Sequence, residues 1–124
     1  MTHARAGRLV LVVEDHADTR ALYLAVLRDE GLLGVGAGTG MAAMELTRTA
    51  RFDAIVIDRG LPDMDGLELC AKLREQEGGE NAALIILSGR SPVRDDASCD
   101  AYLVKPVTPD QLLAVLQQVF AKRS

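Results

Sequence analysis

The sequence predicts an α/β domain: an open parallel sheet with helices packed on both faces. Three observations carry this. Short β-rich apolar runs alternate with longer amphipathic runs along the 124 residues. Several of the short runs, such as Leu9-Val10-Leu11-Val12-Val13, are continuously apolar, as strands buried on both faces are. The length matches one domain that can bury about two-thirds of its unfolded surface without a metal or disulfide staple. Alternation of this kind, joined by right-handed crossovers, leaves few topologies.

The elements follow in order. Leu9–Val13 is the first strand, and residues 17–30 form a helix with Ala21, Leu24, Ala25 and Leu27 at helical spacing, stopped by Gly31. Residues 32–37 are a weaker second strand, diluted by Gly34 and Gly36. Thr39 caps a helix to about Ala50, with Ala42, Ala43, Leu46 and Ala50 on one face. Residues 54–57 are a third buried strand, and residues 60–66, rich in Gly, Pro and Asp, are a loop. Residues 67–77 form a third helix with Leu69, Cys70 and Leu73 inward, ended by Gly78-Gly79. Residues 82–87 and 101–104 are the fourth and fifth strands. A last helix over residues 108–122 places Leu112, Val115, Leu116 and Val119 toward the core.

Composition excludes several functions. Apolar residues are 48% and charged residues 26%, which is globular. With 14 basic and 18 acidic residues the net charge is −4, so no positive field exists for general nucleic-acid binding. Aromatics are 3% and tryptophan is absent, so base-stacking platforms are not expected. Cys70 and Cys99 lack the paired spacing of a zinc site and read as small buried apolar groups. The apolar run at Leu9–Val13 is too short for a signal peptide or a membrane span, so a cytoplasmic location without membrane contact is expected.

Ligands in such folds sit at the carboxyl ends of the strands. Glu14 and Asp15 follow the first strand, Asp58 the third, Ser88 the fourth and Lys105 the fifth. Crowded carboxylates need a compensating cation, and oxygen donors favour a hard ion, Mg²⁺. A divalent ion and an ammonium together stabilise charge on a transferring phosphoryl group. A carboxylate there can itself be the nucleophile, giving an aspartyl phosphate.

These residues resemble the receiver domains of two-component response regulators along nearly the whole chain. Val12-Val13-Glu14-Asp15 is similar to the family's acidic pair, and Ile55-Val56-Ile57-Asp58 with Leu61-Pro62-Asp63-Met64-Asp65-Gly66 to its phosphorylation strand and loop. Ile85-Ile86-Leu87-Ser88-Gly89 and Ala101-Tyr102-Leu103-Val104-Lys105-Pro106 resemble its fourth and fifth strands. The resemblance implies a flavodoxin-like (βα)5 fold with strand order 2-1-3-4-5. It implies Asp58 as phosphoacceptor from a phosphohistidine of a sensor histidine kinase or histidine phosphotransfer protein. Mg²⁺ is then held by Glu14, Asp15, Asp58 and the backbone carbonyl of Gly60. Lys105 pairs with Asp58 and then with the phosphoryl group, and the Lys105-Pro106 bond is cis. Ser88 binds a phosphoryl oxygen, and Tyr102 rotates in response. The domain is then a phosphoacceptor switch that catalyses its own phosphorylation and dephosphorylation, not an enzyme acting on other substrates. Its output goes to a downstream protein or a fused output domain.

The chain departs from the pattern between Ser88 and Lys105, where sixteen residues leave room for a shortened, irregular fourth helix. Arg59 lies at the site mouth, where it would modulate phosphoryl lifetime. Asp63 to Gly66 resembles a calcium loop but lacks its terminal Glu, and reads as turn chemistry. His16 and His3 read as surface residues. A single receiver domain over residues 1–124, flexible over 1–7, is expected, and both a stand-alone regulator and part of a longer one fit. Two competing functions remain: a degenerate receiver binding protein without phosphorylation, and a small phosphohydrolase or flavin protein. Against the last, no glycine-rich phosphate loop follows the first strand, and no second Asp follows Asp58 by two residues.

Overall fold

A computed structural model describes residues 7–76, 81–90 and 99–123. The elements are β1 (Leu9–Val13), α1 (Ala17–Asp29), β2 (Leu33–Ala37), α2 (Gly40–Thr49), β3 (Ala54–Asp58), α3 (Gly66–Glu75), β4 (Ala83–Ser88), β5 (Ala101–Val104) and α4 (Pro109–Arg123). The five strands form one parallel sheet in the order β2-β1-β3-β4-β5, as the resemblance implied. Boundaries move by a residue or two. In particular β3 and β4 run on through Asp58 and Ser88, so both side chains are held by strand backbone. The expected short fourth helix falls on residues 91–98, and the expected flexible terminus falls mostly on residues 1–6. Both lie outside the described residues, as do Gly78 and Gly79.

Strand side chains alternate between faces, so each apolar run feeds two cores. Val10, Val12, Val56, Ile85 and Leu87 pack with Tyr23 and Leu27 of α1 and Leu112, Leu116 and Phe120 of α4. Leu11, Val13, Ile55, Ile57, Leu84 and Ile86 pack with Ala43 of α2 and Leu69, Cys70 and Leu73 of α3. Each fully buried Leu or Ile contributes roughly 1.5–3 kcal/mol. Cys70 belongs to this core, whereas Cys99 is only half-buried.

Helix α1 keeps most of its expected face, with Leu27 buried and Leu24 packed against the core, but the face is shifted. Tyr23 and Leu27 are buried, while Ala21 is exposed. The glycines of β2 give the side chains of α1 room rather than merely diluting the strand. A Cβ at Gly34 would meet Leu24 at 2.9 Å, and one at Gly36 would meet Arg20 at 3.0 Å. The strand still pairs with β1 along its whole length.

The helix starts are capped locally. Thr39 Oγ1 accepts from the Ala42 N–H, and Asp65 Oδ1 accepts from the Leu67 N–H. Thr108 and Gln111 cap α4 reciprocally, side chain to backbone in both directions. His16 caps α1 through Nδ1, which gives the exposed histidine a structural task. Asp63 reaches across from the β3–α3 loop, its two oxygens accepting from the Gly40 and Met41 N–H groups at 2.9 Å each. The Asp63 to Gly66 stretch, read from the sequence as turn chemistry, thus fastens two helix starts, Asp65 that of α3 and Asp63 that of α2.

Gly66 lets this loop return beneath β3. A Cβ there would lie 2.7 Å from Arg59 Cα and 2.8 Å from the Asp58 carbonyl oxygen, both backbone atoms. Gly66→Ala is therefore expected to destabilise the fold by about 1–3 kcal/mol, the usual cost of overpacking. The check is a lower urea midpoint with an unchanged slope, and an unchanged midpoint would refute this close approach.

Candidate functional site

The polar residues that follow the apolar runs meet at one rim because the ladder continues one residue past the strands. The Glu14 N–H donates to the Ala37 carbonyl, the Arg59 N–H to that of Leu87, and the Lys105 N–H to that of Ser88. The directions in which these side chains leave the sheet are therefore set by backbone pairing. Arg20 adds a brace from α1, donating to the Glu14 carbonyl at 2.7 Å. The Lys105-Pro106 peptide is cis.

Asp58 is the centre of the arrangement. It is 7% exposed, and its Oδ1 accepts from Lys105 Nζ at 2.9 Å and from the Gly60 N–H at 3.2 Å. Glu14 is buried at the end of β1, its Oε2 accepting from the His16 N–H at 3.0 Å. Asp15 is exposed beside it. One carboxylate oxygen from each of Glu14, Asp15 and Asp58 lies within 4.8 Å of the others. Three hard oxygen donors with one ammonium leave net negative charge on a partly buried rim, a donor set suited to a small divalent cation.

The electrostatics report the crowding. Burial pushes the Glu14 carboxyl up. The His16 N–H pulls it down, the Asp58 charge raises it and Lys105 lowers it, and the net effect is a raised pKa. Burial pulls the Lys105 ammonium down, but its hydrogen bond to Asp58 and the fields of Asp58 and Glu14 outweigh this and raise it.

Two open pockets meet at the Asp58–Lys105 pair. One, of about 680 Å³, is lined by Glu14, Asp15, His16, Thr19, Tyr23, Pro106 and Val107. The other, of about 580 Å³, is lined by Arg59, Gly60, Asp65, Ser88, Gly89 and Arg90. Ser88 is buried, and its Oγ accepts from the Arg90 N–H at 3.1 Å. Tyr102 stands behind this second pocket, its hydroxyl donating to the Arg90 carbonyl and accepting from Arg59 Nη1, both at 3.1 Å. The structure thus brings Glu14, Asp15, Asp58 and Lys105 to one place and Ser88 to its border. Gly60 is tied to Asp58 through its N–H. Sequence reasoning missed Tyr23, whose phenol is 5% exposed, lines the first pocket and is pushed up mainly by burial. Leucine-like core spacing on α1 gave no signal for it.

Comparison with known proteins agrees with this geometry. The family model of the response regulator receiver domain matches residues 10–117. The chain belongs to the response regulator receiver domains. It is 35% identical over 117 residues to the transcriptional regulatory protein TcrA of Mycobacterium tuberculosis, covering 90% of this chain and 46% of that protein. The receiver chain therefore spans about half the length of this relative. Among solved structures it is similar to the receiver domain of the Francisella response regulator 1452, with TM-score 0.86 and 28% identity over 95% of this chain and 100% of that one. It is also similar to the receiver domain of the sensor histidine kinase PA1611 of Pseudomonas aeruginosa, solved with a magnesium ion in the active-site cleft. There the TM-score is 0.82 and the identity 29%, over 94% of this chain and 99% of that one. Receiver domains are phosphoacceptor signalling domains of two-component systems and bind Mg²⁺ at an acidic site. No helix among the described residues is long and apolar enough to cross a membrane.

The raised Glu14 pKa has a consequence for stability. A carboxyl raised in the folded chain stabilises that chain below its unfolded pKa, and the contribution is lost as pH rises through the folded value. Glu14→Gln keeps an acceptor for the His16 N–H and removes the charge. In EDTA its thermal midpoint is expected to exceed that of the parent at neutral pH, with the gap closing in acid. A gap independent of pH would show that ionised Glu14 carries no penalty there.

Proposed function

We propose that this receiver is a phosphoacceptor switch, with Asp58 taking a phosphoryl group from a phosphohistidine on a sensor histidine kinase or phosphotransfer protein. One observation supports this above the rest: three carboxylate oxygens within 4.8 Å, with Asp58 on the Lys105 ammonium at 2.9 Å. A site meant only for protein contact has no use for like charges held this close.

In this reading an Asp58 oxygen attacks the phosphorus. The O–P bond forms as the P–N bond of the phosphohistidine breaks, and the imidazole stays on the donor. Glu14, Asp15, Asp58 and the Gly60 carbonyl would hold Mg²⁺, which when bound offsets charge on the transferring group. Lys105 leaves its pairing with the carboxylate for a phosphoryl oxygen, a movement its half-exposed stem permits. Ser88 offers its hydroxyl proton to another phosphoryl oxygen while its lone pair keeps the Arg90 N–H. Tyr102 follows because its hydroxyl is bonded to the Arg90 carbonyl. The surface around β5 then changes, and a downstream protein or a fused output domain reads it. As a receiver the chain catalyses its own phosphorylation and hydrolysis.

The test is incubation with acetyl phosphate with and without Mg²⁺, read by intact mass. One Mg²⁺-dependent phosphoryl adduct is expected in the parent and none in Asp58→Asn. An adduct that persists in Asp58→Asn would overturn the assignment. Absence of both adduct and Mg²⁺ binding would favour the phosphorylation-independent binding module.

A further inference from the structure

Arg59 is adjacent to the phosphoacceptor, yet its charge is turned away from it. Its Nη1 donates to the Tyr102 hydroxyl at 3.1 Å, and its Nε lies 3.3 and 3.4 Å from the two Asp65 oxygens. Asp65 is itself fixed, capping α3 through the Leu67 N–H and bridging in backbone to Gly60. The guanidinium is thus held between an anchored carboxylate on one side and a phenol on the other. A planar fork suits that two-sided task, which a lysine cannot reproduce.

The phenol is bonded on both sides as a result. A tyrosine hydroxyl has one proton to give, and Tyr102 gives it to the Arg90 carbonyl. It accepts a charge-assisted bond from Arg59. Arg90 in turn donates its N–H to Ser88 Oγ. An unbroken chain therefore runs from Asp65 through Arg59, Tyr102 and Arg90 to Ser88, around the pocket that Asp58 faces.

We infer that Arg59 is a positioning residue: anchored by Asp65, it holds the Tyr102 hydroxyl on the Arg90 carbonyl and so presets the Ser88 side of the pocket. The placement stands on these contacts alone, while its effect on phosphorylation rests on the phosphoacceptor reading above. A site whose competent arrangement is populated in advance loses less rate to conformational search. Arg59 thereby raises the phosphorylation rate without touching the reacting atoms.

The experiment has two arms. The chain holds two tyrosines, so with ring-labelled tyrosine the Tyr102 resonances are identified by their loss in Tyr102→Phe. In unphosphorylated protein, Arg59→Met is expected to shift the Tyr102 resonances and leave those of Tyr23 in place. Asp65→Asn, which keeps the helix cap, should shift the same signals in the same direction. In the second arm the initial rate of phosphorylation by acetyl phosphate with Mg²⁺ is expected to fall about tenfold in Arg59→Met, the scale of one charge-assisted hydrogen bond discounted for solvent. Tyr102→Phe should lose a similar factor, and the double variant no more than either. Arg59→Lys should fail to restore the rate. Unmoved Tyr102 resonances in Arg59→Met would overturn the inference. Rate losses that multiply in the double variant would do the same, leaving Arg59 a charge acting on the donor. If the parent takes up no phosphoryl group, the phosphoacceptor reading fails, and the resonance arm still decides where Tyr102 is held.

Discussion

Like charge forced together at the edge of a rigid sheet is the constraint that organises this domain. Glu14, Asp15 and Asp58 offer oxygens within 4.8 Å of one another, and two of the three residues are nearly withdrawn from water. Such a cluster is unfavourable by itself. Lys105 offsets part of it from the far strand, at 2.9 Å from Asp58. The remaining negative charge is a standing demand for a cation or for protons, and the raised Glu14 pKa expresses that demand.

The sheet can hold this unfavourable cluster because it does not yield. β1 is buried on both faces apart from its first residue, and β3 and β4 are buried throughout. Backbone pairing carries on to the residues just past the strand ends, so the first polar residue of each loop inherits the strand's direction. The loops are then pinned individually. Asp63 ties the loop after β3 to the start of α2, and Gly66 lets the same loop pass close under Asp58. Strand backbone below and separately fastened loops above hold the charged side chains in place.

The two pockets beside Asp58 differ in character. The one toward α1 carries the acidic pair and the buried Tyr23, and holds the cation-seeking side of the site. The one toward β4 carries Arg59, Ser88 and Arg90, and connects through hydrogen bonds to Tyr102. Lys105 and Asp58 border both, so a change at the carboxylate is felt on each side. The network on the second side links Arg59, Tyr102 and Arg90 to Ser88 without a break.

The sequence alone determined the sheet, its helices and the identity of the rim. Continuous apolar runs require burial on both faces, and the polar residue ending each run must then emerge at the strand's carboxyl end. That logic, with the family resemblance, pointed to Glu14, Asp15, Asp58, Ser88 and Lys105, which the structure gathers at one rim. Tertiary structure decided which polar groups meet. Arg59 finds Tyr102 across 43 residues, and Tyr102 finds Arg90 across 12. Asp63 caps a helix 23 residues earlier in the chain. Tyr23 joins the core between β1, β3 and α4, and the β2 glycines leave room for Leu24 and Arg20 of the same helix, facts no helical periodicity contains. Local pattern reports how a residue faces its own element. The register between strands and the approach of helices to the sheet decide which side chains share a space, and those are properties of the packed whole.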